Sequence, residues 1–103
     1  MTLAELNTLL ETLGMPVAYS HFKKATSPPF ITYQFAYGSD FKADNQNYKD
    51  ISNVQVELYT KIKDLTNEGQ VEALLKNNRL PYMKTEAFLD SENLYQVIYE
   101  IQI

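Results

Sequence analysis

The residues of this 103-residue chain that could perform chemistry are few, and they stand apart from one another. His21 is the sole histidine, and a histidine that acts as a general base needs a nucleophile within reach and a group that orients it. Neither Ser20 nor Ser27 stands in a recognisable nucleophile turn. We therefore interpret His21 as an exposed or strand-edge residue and predict that the protein is not an enzyme.

Metal and phosphate sites are equally poorly supported by the residue pattern. Asp40, Asp44 and Asp50 miss the alternating Asp/Asn ligands and central glycine of a calcium loop. The chain contains no cysteine, and its three glycines are too far apart to form a phosphate-binding loop. We predict no metal and no cofactor.

The sequence predicts two helices, which with the strands would position any functional site. Leucines recur three and four residues apart between Leu3 and Leu13, after a Thr2–Glu5 capping box and before Gly14 and Pro16. A second helix is predicted from Asp64 or Thr66 to about Asn77. Its predicted apolar face is formed by Leu65, Val71, Leu74 and Leu75, and Glu68 lies near its positive end.

Alternating apolar and polar residues predict five strands in one small antiparallel sheet. The run from Pro28 to Tyr37 is the predicted central strand, with Ile31, Tyr33, Phe35 and Tyr37 on its better buried face. The other predicted strands cover residues 17–22, 53–62, 82–88 and 94–103. In the predicted strand of residues 53–62, Glu57 is assigned to the solvated face. The predicted fold class is α+β, in the order α-β-β-β-α-β-β, within a single domain of residues 1–103.

Residues 38–50 are polar and aperiodic, which predicts a long exposed loop. Loops of this length are commonly functional, and this one carries two aromatic residues in a hydrophilic setting. On composition alone we choose as a candidate interaction site the residues Phe41, Lys42, Asp44, Tyr48 and Lys49.

Composition and charge exclude several classes of function. The net charge of −4 and the scattered basic residues argue against a protein that binds bare nucleic acid, because phosphate binding needs clustered Lys and Arg. No run approaches eighteen apolar residues, so we expect no membrane span. Eight tyrosines and five phenylalanines fit either a small aromatic core or a subunit interface, where tyrosine is enriched.

Nearly the whole chain resembles, in its order of elements, the small tail-completion or head–tail joining proteins of long-tailed bacteriophages and prophages. The resemblance is carried by the leading helix and three later segments. These are Pro16-Val17-Ala18-Tyr19-Ser20-His21-Phe22, Pro28-Pro29-Phe30-Ile31-Thr32-Tyr33 and Tyr95-Gln96-Val97-Ile98-Tyr99.

The resemblance implies a structural protein of the virion, present in the host cytoplasm during assembly. Such a protein would form a ring, expected to be a hexamer, between the head's portal or connector proteins and the tail tube. DNA would pass through the ring without being specifically bound, and the loop at residues 38–50 would be the docking arm. An acidic chain suits this role because a lumen that repels phosphate does not retain the genome.

Two other classes of function remain open at this point. One is a host or prophage regulatory or inhibitor module that binds a protein through a sheet edge or loop. The other is an α+β domain that binds a small molecule in an aromatic pocket.

Overall fold

The computed structural model describes residues 1–43 and 46–103, with the backbone alone described for residues 41, 43 and 47–49. The described part of the chain contains two helices, α1 (Leu3–Glu11) and α2 (Leu65–Asn77). Its strands are β1 (Val17–Tyr19), β2 (Phe30–Gly38), β3 (Phe41–Ala43), β4 (Gln46–Lys49), β5 (Ser52–Thr60), β6 (Met83–Leu89) and β7 (Leu94–Gln102). Five of them form the main sheet, so the α+β class and the predicted order of helices and main-sheet strands are confirmed.

The main sheet has the strand order β1-β2-β5-β7-β6, which corrects two predictions. Its central strand is β5, which pairs with both β2 and β7, whereas the strand after Pro28 lies one place from the edge. The sheet is also mixed, because β1 runs parallel to β2. The connection of residues 20–29 returns the chain to the end where β1 began, as a parallel pair requires.

Both helices cover the same face of this sheet. Cross-strand rows such as Ile31, Leu58 and Val97 meet the leucines of α1 and the apolar residues of α2. The buried cluster consists of Leu6, Leu10, Ile31, Tyr33, Val54, Val56, Leu58, Val71, Leu75, Leu80, Val97, Tyr99 and Ile101. We call this side the helix-covered face and the other side the open face.

Helix α1 forms for the local reasons that its sequence indicates. The Thr2 hydroxyl accepts a hydrogen bond from the Glu5 amide at 3.1 Å, and the Glu5 carboxylate accepts one from the Thr2 amide at 2.9 Å. The predicted capping box is therefore present. Gly14 has a φ of +83°, a left-handed conformation that glycine adopts without strain, and the chain turns there toward β1.

Helix α2 begins after Asp64, whose side chain accepts a hydrogen bond from the Asn67 amide at 3.0 Å. Val71 and Leu75 are buried as predicted, but the assignment of Leu65 to the apolar face is wrong, because Leu65 is 71% exposed. As the first residue of the helix, it points away from the sheet that the later turns contact.

The second half of β2 also departs from its predicted pattern. Ile31 and Tyr33 are buried, whereas Phe35 and Tyr37 are 49% and 51% exposed. A register shift between Phe35 and Tyr37 places Tyr37 opposite Asn53, so the alternation of side chains changes face there. Tyr37 consequently lies on the open face, where its hydroxyl donates to the Glu100 carboxylate at 3.2 Å.

Candidate functional site

The segment chosen as an interaction loop contains a β-hairpin instead. Strands β3 and β4 pair only with each other and form a second, two-stranded antiparallel sheet inserted between β2 and β5. Alternation over three and four residues is too short to have indicated strands in the sequence. Asp44 lies outside the described residues, as do the side chains of Phe41, Tyr48 and Lys49, whereas Lys42 is exposed.

The base of the hairpin is fixed to the main sheet by polar contacts. The Ser39 amide donates to the Ile51 carbonyl at 2.8 Å, and the Asp40 carboxylate accepts from the Ile51 amide at 3.1 Å. The buried Asn53 side chain donates to the Tyr37 carbonyl at 3.1 Å and to the Ser39 hydroxyl at 2.7 Å. These bonds set the position from which the hairpin leaves the sheet.

The open face carries polar rows across its central strands. Gln34, Gln55 and Glu100 lie opposite one another in register, and Thr32, Glu57 and Ile98 form the next row. Lys84 is the only Lys or Arg in the five strands of the main sheet, and its register opposite the buried Tyr99 places it on the helix-covered face. Within these described strands, the open face therefore offers carboxylates and amides but no cation.

Glu57 was predicted to be solvated, and that prediction is wrong, since the residue is 6% exposed. Its carboxylate accepts hydrogen bonds from the Thr32 hydroxyl at 3.1 Å and the Gln96 amide at 3.0 Å. Burial raises the pKa of Glu57, and the hydrogen bonds from its neighbours only partly oppose that shift. The alternation of β5 could not reveal this, because Thr32 and Gln96 approach Glu57 from other strands.

The raised pKa of Glu57 predicts that Glu57→Gln stabilises the protein at neutral pH, by about 1 kcal/mol. Protonated Glu57 favours the folded state below its ordinary pKa, and that contribution is lost as pH rises through the raised folded-state value. The glutamine amide does not ionise, so the variant does not lose this stability as the pH rises. The Thr32 hydroxyl, which donates to the carboxylate, can instead accept a hydrogen bond from the amide.

Urea unfolding at pH 7 and at pH 3 checks this expectation. The gain from Glu57→Gln should be present at pH 7 and absent at pH 3, where Glu57 is protonated. Glu92→Gln, the same change at an exposed residue, serves as the control. A Glu57→Gln protein that is less stable than wild type at pH 7 would show that the carboxylate form is needed by the fold.

An aromatic groove on the open face adjoins Glu57 and its hydrogen-bond partner Thr32. Phe30 stacks on Tyr59 with ring centroids 5.0 Å apart, and Phe22 meets Phe30 edge-on at 5.2 Å. The groove has a volume of about 310 Å³ and is open to solvent, and His21 and Lys24 lie along it. Nδ1 of His21 lies 3.4 Å from the hydroxyl of Ser20, its sequence neighbour.

A group of ion pairs on the helix-covered face was not foreseen from the sequence. We call it the charge cluster, and its members are Lys63, Glu68, Glu72, Lys84 and Glu86. The Glu68 side chain is only 3% exposed, and its two oxygens lie 2.7 Å from Nζ of Lys63 and 2.9 Å from Nζ of Lys84. Lys84 also contacts Glu72 at 2.8 Å, and Lys63 contacts Glu86.

The charge cluster stabilises the ionised form of four of its members, which are Lys63, Glu68, Glu72 and Lys84. Burial acts to raise the pKa of Glu68, but its ion pairs with Lys63 and Lys84 outweigh the effect of burial, and the pKa is lowered. The pKa of Glu72 is lowered chiefly by its bond from Lys84. The buried Tyr99 hydroxyl donates to Glu72 at 2.8 Å, so the cluster joins α2 to both β6 and β7. Because each of its three carboxylates is paired with a lysine, we interpret it as structural.

Three negative findings accompany this geometry. Across residues 1–43 and 46–103, no group of three or more His, Cys, Asp or Glu side chains is placed to hold a metal ion. No helix in the described ranges is long and apolar enough to cross a membrane. In comparisons with known proteins, no family model matches the chain and no curated protein matches it at a significant level. The α+β class rests on the helices and the sheet alone.

Proposed function

We propose that this protein is a structural component of a bacteriophage or prophage virion, a tail-completion or head–tail joining protein that assembles as a ring. The observation that carries the proposal is the β3–β4 hairpin, a small two-stranded sheet that is separate from the main sheet. A two-stranded hairpin is only marginally stable in water by itself. A neighbouring subunit or a tail-tube surface that packs against the hairpin would stabilise it. This agrees with the docking arm implied by the family resemblance.

The distribution of charge supports the same proposal. The chain has a net charge of −4, and the open face of the main sheet carries Glu57 and Glu100 without a Lys or Arg in its described strands. The described strands of this face supply no cation for a phosphate, and Lys24 lies beside the aromatic groove. A ring that presents this face to its lumen lets DNA pass without holding it. The proposed partners are other copies of this chain, the portal or connector proteins and the tail-tube protein.

The proposal predicts the phenotype of a phage or inducible prophage from which this gene has been deleted. We expect DNA-filled heads and tails that stay separate in electron micrographs, and a loss of plaque-forming particles of several orders of magnitude. Wild-type protein supplied from a plasmid should restore joined virions. Normal titres of intact particles after deletion would overturn the proposed function.

The same complementation assay tests the hairpin. Phe41→Ala combined with Tyr48→Ala should leave folding intact but fail to restore virions, because both rings belong to the docking arm. Phe35→Ala, which removes a half-exposed aromatic ring from the main sheet, is the matched control and should restore them. A double variant that has lost its thermal transition would assign the two rings to the core instead.

A second candidate function is favoured by the aromatic groove beside Phe22, Phe30 and Tyr59, which could accept a small planar ligand. The deletion experiment separates the two candidates. A ligand-binding or regulatory module would change growth or prophage induction while leaving the particles joined.

A further inference from the structure

Strand β6 forms a free edge of the main sheet. It pairs with β7 on one side only, and six of its seven residues are exposed. The opposite edge, β1, is three residues long and therefore offers little backbone for pairing. Strand β6 contains no proline or glycine, and it exposes the large apolar side chains of Met83 and Phe88. The unpaired backbone N–H and C=O groups of an edge of this length can pair with a further strand whose side chains are compatible.

The charges on β6 select both the partner and the register. Lys84 and Glu86 lie two residues apart on the helix-covered face, both partly exposed, with Thr85 between them on the open face. In an antiparallel pair of two β6 strands centred on Thr85, each Lys84 stands opposite the other copy's Glu86. Opposite charges at directly opposed positions stabilise a strand pair, and like charges destabilise it.

The neighbouring registers lack this match. Centring the pair on Glu86 places two carboxylates opposite each other, and centring it on Lys84 opposes two ammonium groups. Centring it on Ala87 sets Glu86 against Phe88 and leaves its charge unmatched within the strand. A shift by one residue puts the open face of one copy beside the helix-covered face of the other.

We propose that β6 pairs antiparallel with β6 of a second copy of this chain, about a twofold axis through Thr85. The seam extends the existing charge cluster, because Lys84, held by Glu68 and Glu72, meets a Glu86 that is held by Lys63 of its own chain. On the open face Met83 covers Ala87 of the other copy. Five paired residues per copy make a small interface, so the dimer is reversible and depends on concentration.

This contact is independent of the proposed role in the virion. A twofold pair closes on itself, whereas a ring of six needs a head-to-tail contact between different surfaces. The dimer uses β6 and leaves the hairpin and β1 free, so failure of either proposal leaves the other standing.

Sedimentation and light scattering of the wild-type protein test the dimer first. Between micromolar and millimolar concentration, the average mass should rise from 11.9 kDa toward twice that value. A mass that stays at the monomer value throughout would overturn the proposal.

Register-specific cross-linking then tests the axis, since the chain contains no native cysteine. In Thr85→Cys the two thiols stand at directly opposed positions, with Cα atoms about 4.5–5.5 Å apart, which a disulfide can span. In Ala87→Cys the two positions are displaced by four residues, about 13 Å along the strands, which is beyond disulfide reach.

Mild oxidation should therefore give at least tenfold more covalent dimer with Thr85→Cys than with Ala87→Cys. Both residues are exposed, and circular dichroism should show the wild-type fold in each variant. Equal cross-linking of the two variants, or more in Ala87→Cys, would overturn the proposed register. The wild-type mass measurement decides the question of self-pairing even if one variant fails to fold.

Discussion

Leu10→Ala is expected to lower the free energy of unfolding by about 2–5 kcal/mol, as leucine truncations in cores do. Leu10 is fully buried between α1 and the main sheet and belongs to the same cluster as Ile31 and Tyr33. The truncation removes apolar contacts and leaves a cavity that a small sheet protein fills only partly. A domain of this size has about 5–15 kcal/mol of total stability, so a large share is lost.

Leu65→Ala is the matched control for this truncation. It makes the same chemical change in the other helix, at a side chain that is 71% exposed, and should alter stability by less than about 0.5 kcal/mol. Urea unfolding followed by circular dichroism compares the two variants. Equal midpoints for both would contradict the placement of α1 against the sheet.

Lys84→Met is expected to destabilise the protein by about 1–3 kcal/mol at neutral pH. The methionine keeps the apolar stem but removes the ammonium group that contacts Glu68 and Glu72. Glu68 is then a nearly buried carboxylate with Lys63 as its remaining ion-pair partner in the cluster. The effect stays below that of a fully buried pair because Lys84 is partly exposed and therefore screened by water. Lys23→Met, the same change at an exposed lysine before β2, should have little effect.

The pH dependence of this variant distinguishes lost charge pairing from lost packing. The pKa values of Glu68 and Glu72 are lowered in the folded state, so their contribution is present above the ordinary glutamate pKa and lost as pH falls through the lowered values. The difference between wild type and Lys84→Met should therefore shrink in acid. A difference that is the same at pH 7 and pH 2 would assign the effect to packing.

The charge cluster and the β6 edge belong to the same region of the fold. Lys84 and Glu86 help to join α2 to the sheet and also carry the charges that select the proposed pairing register. For this reason the dimer is tested at Thr85 and Ala87, which lie outside the cluster. The stability of one chain and the association of two can thus be measured separately.

The sequence by itself determined the elements whose signals are local. The Thr2–Glu5 capping box and the leucine spacing define α1, and Asp64 and Thr66 are the two candidate caps of α2. Period-two alternation locates the five strands of the main sheet. These signals depend on residues within one turn of helix or a few positions along a strand. The α+β class and the order of its elements follow from them.

Only the tertiary structure decided which strands are neighbours and what each face meets. It placed β5 at the centre, turned β1 parallel to β2, and moved Tyr37 to the open face through a register shift. Pairing joins residues far apart in the chain, and alternation is the same whichever partner lies alongside. The sequence therefore located the strands without pairing them.

The candidate sites divide in the same way. Composition drew attention to residues 38–50, but the pairing of β3 with β4 made that segment a hairpin. The sequence assigned Glu57 to a solvated face and Glu68 to the positive end of α2. It did not indicate their partners, Thr32, Gln96 and Lys84, which come from other elements. Burial and ion pairing are properties of the assembled fold, so no pattern along β5 or α2 could have indicated them.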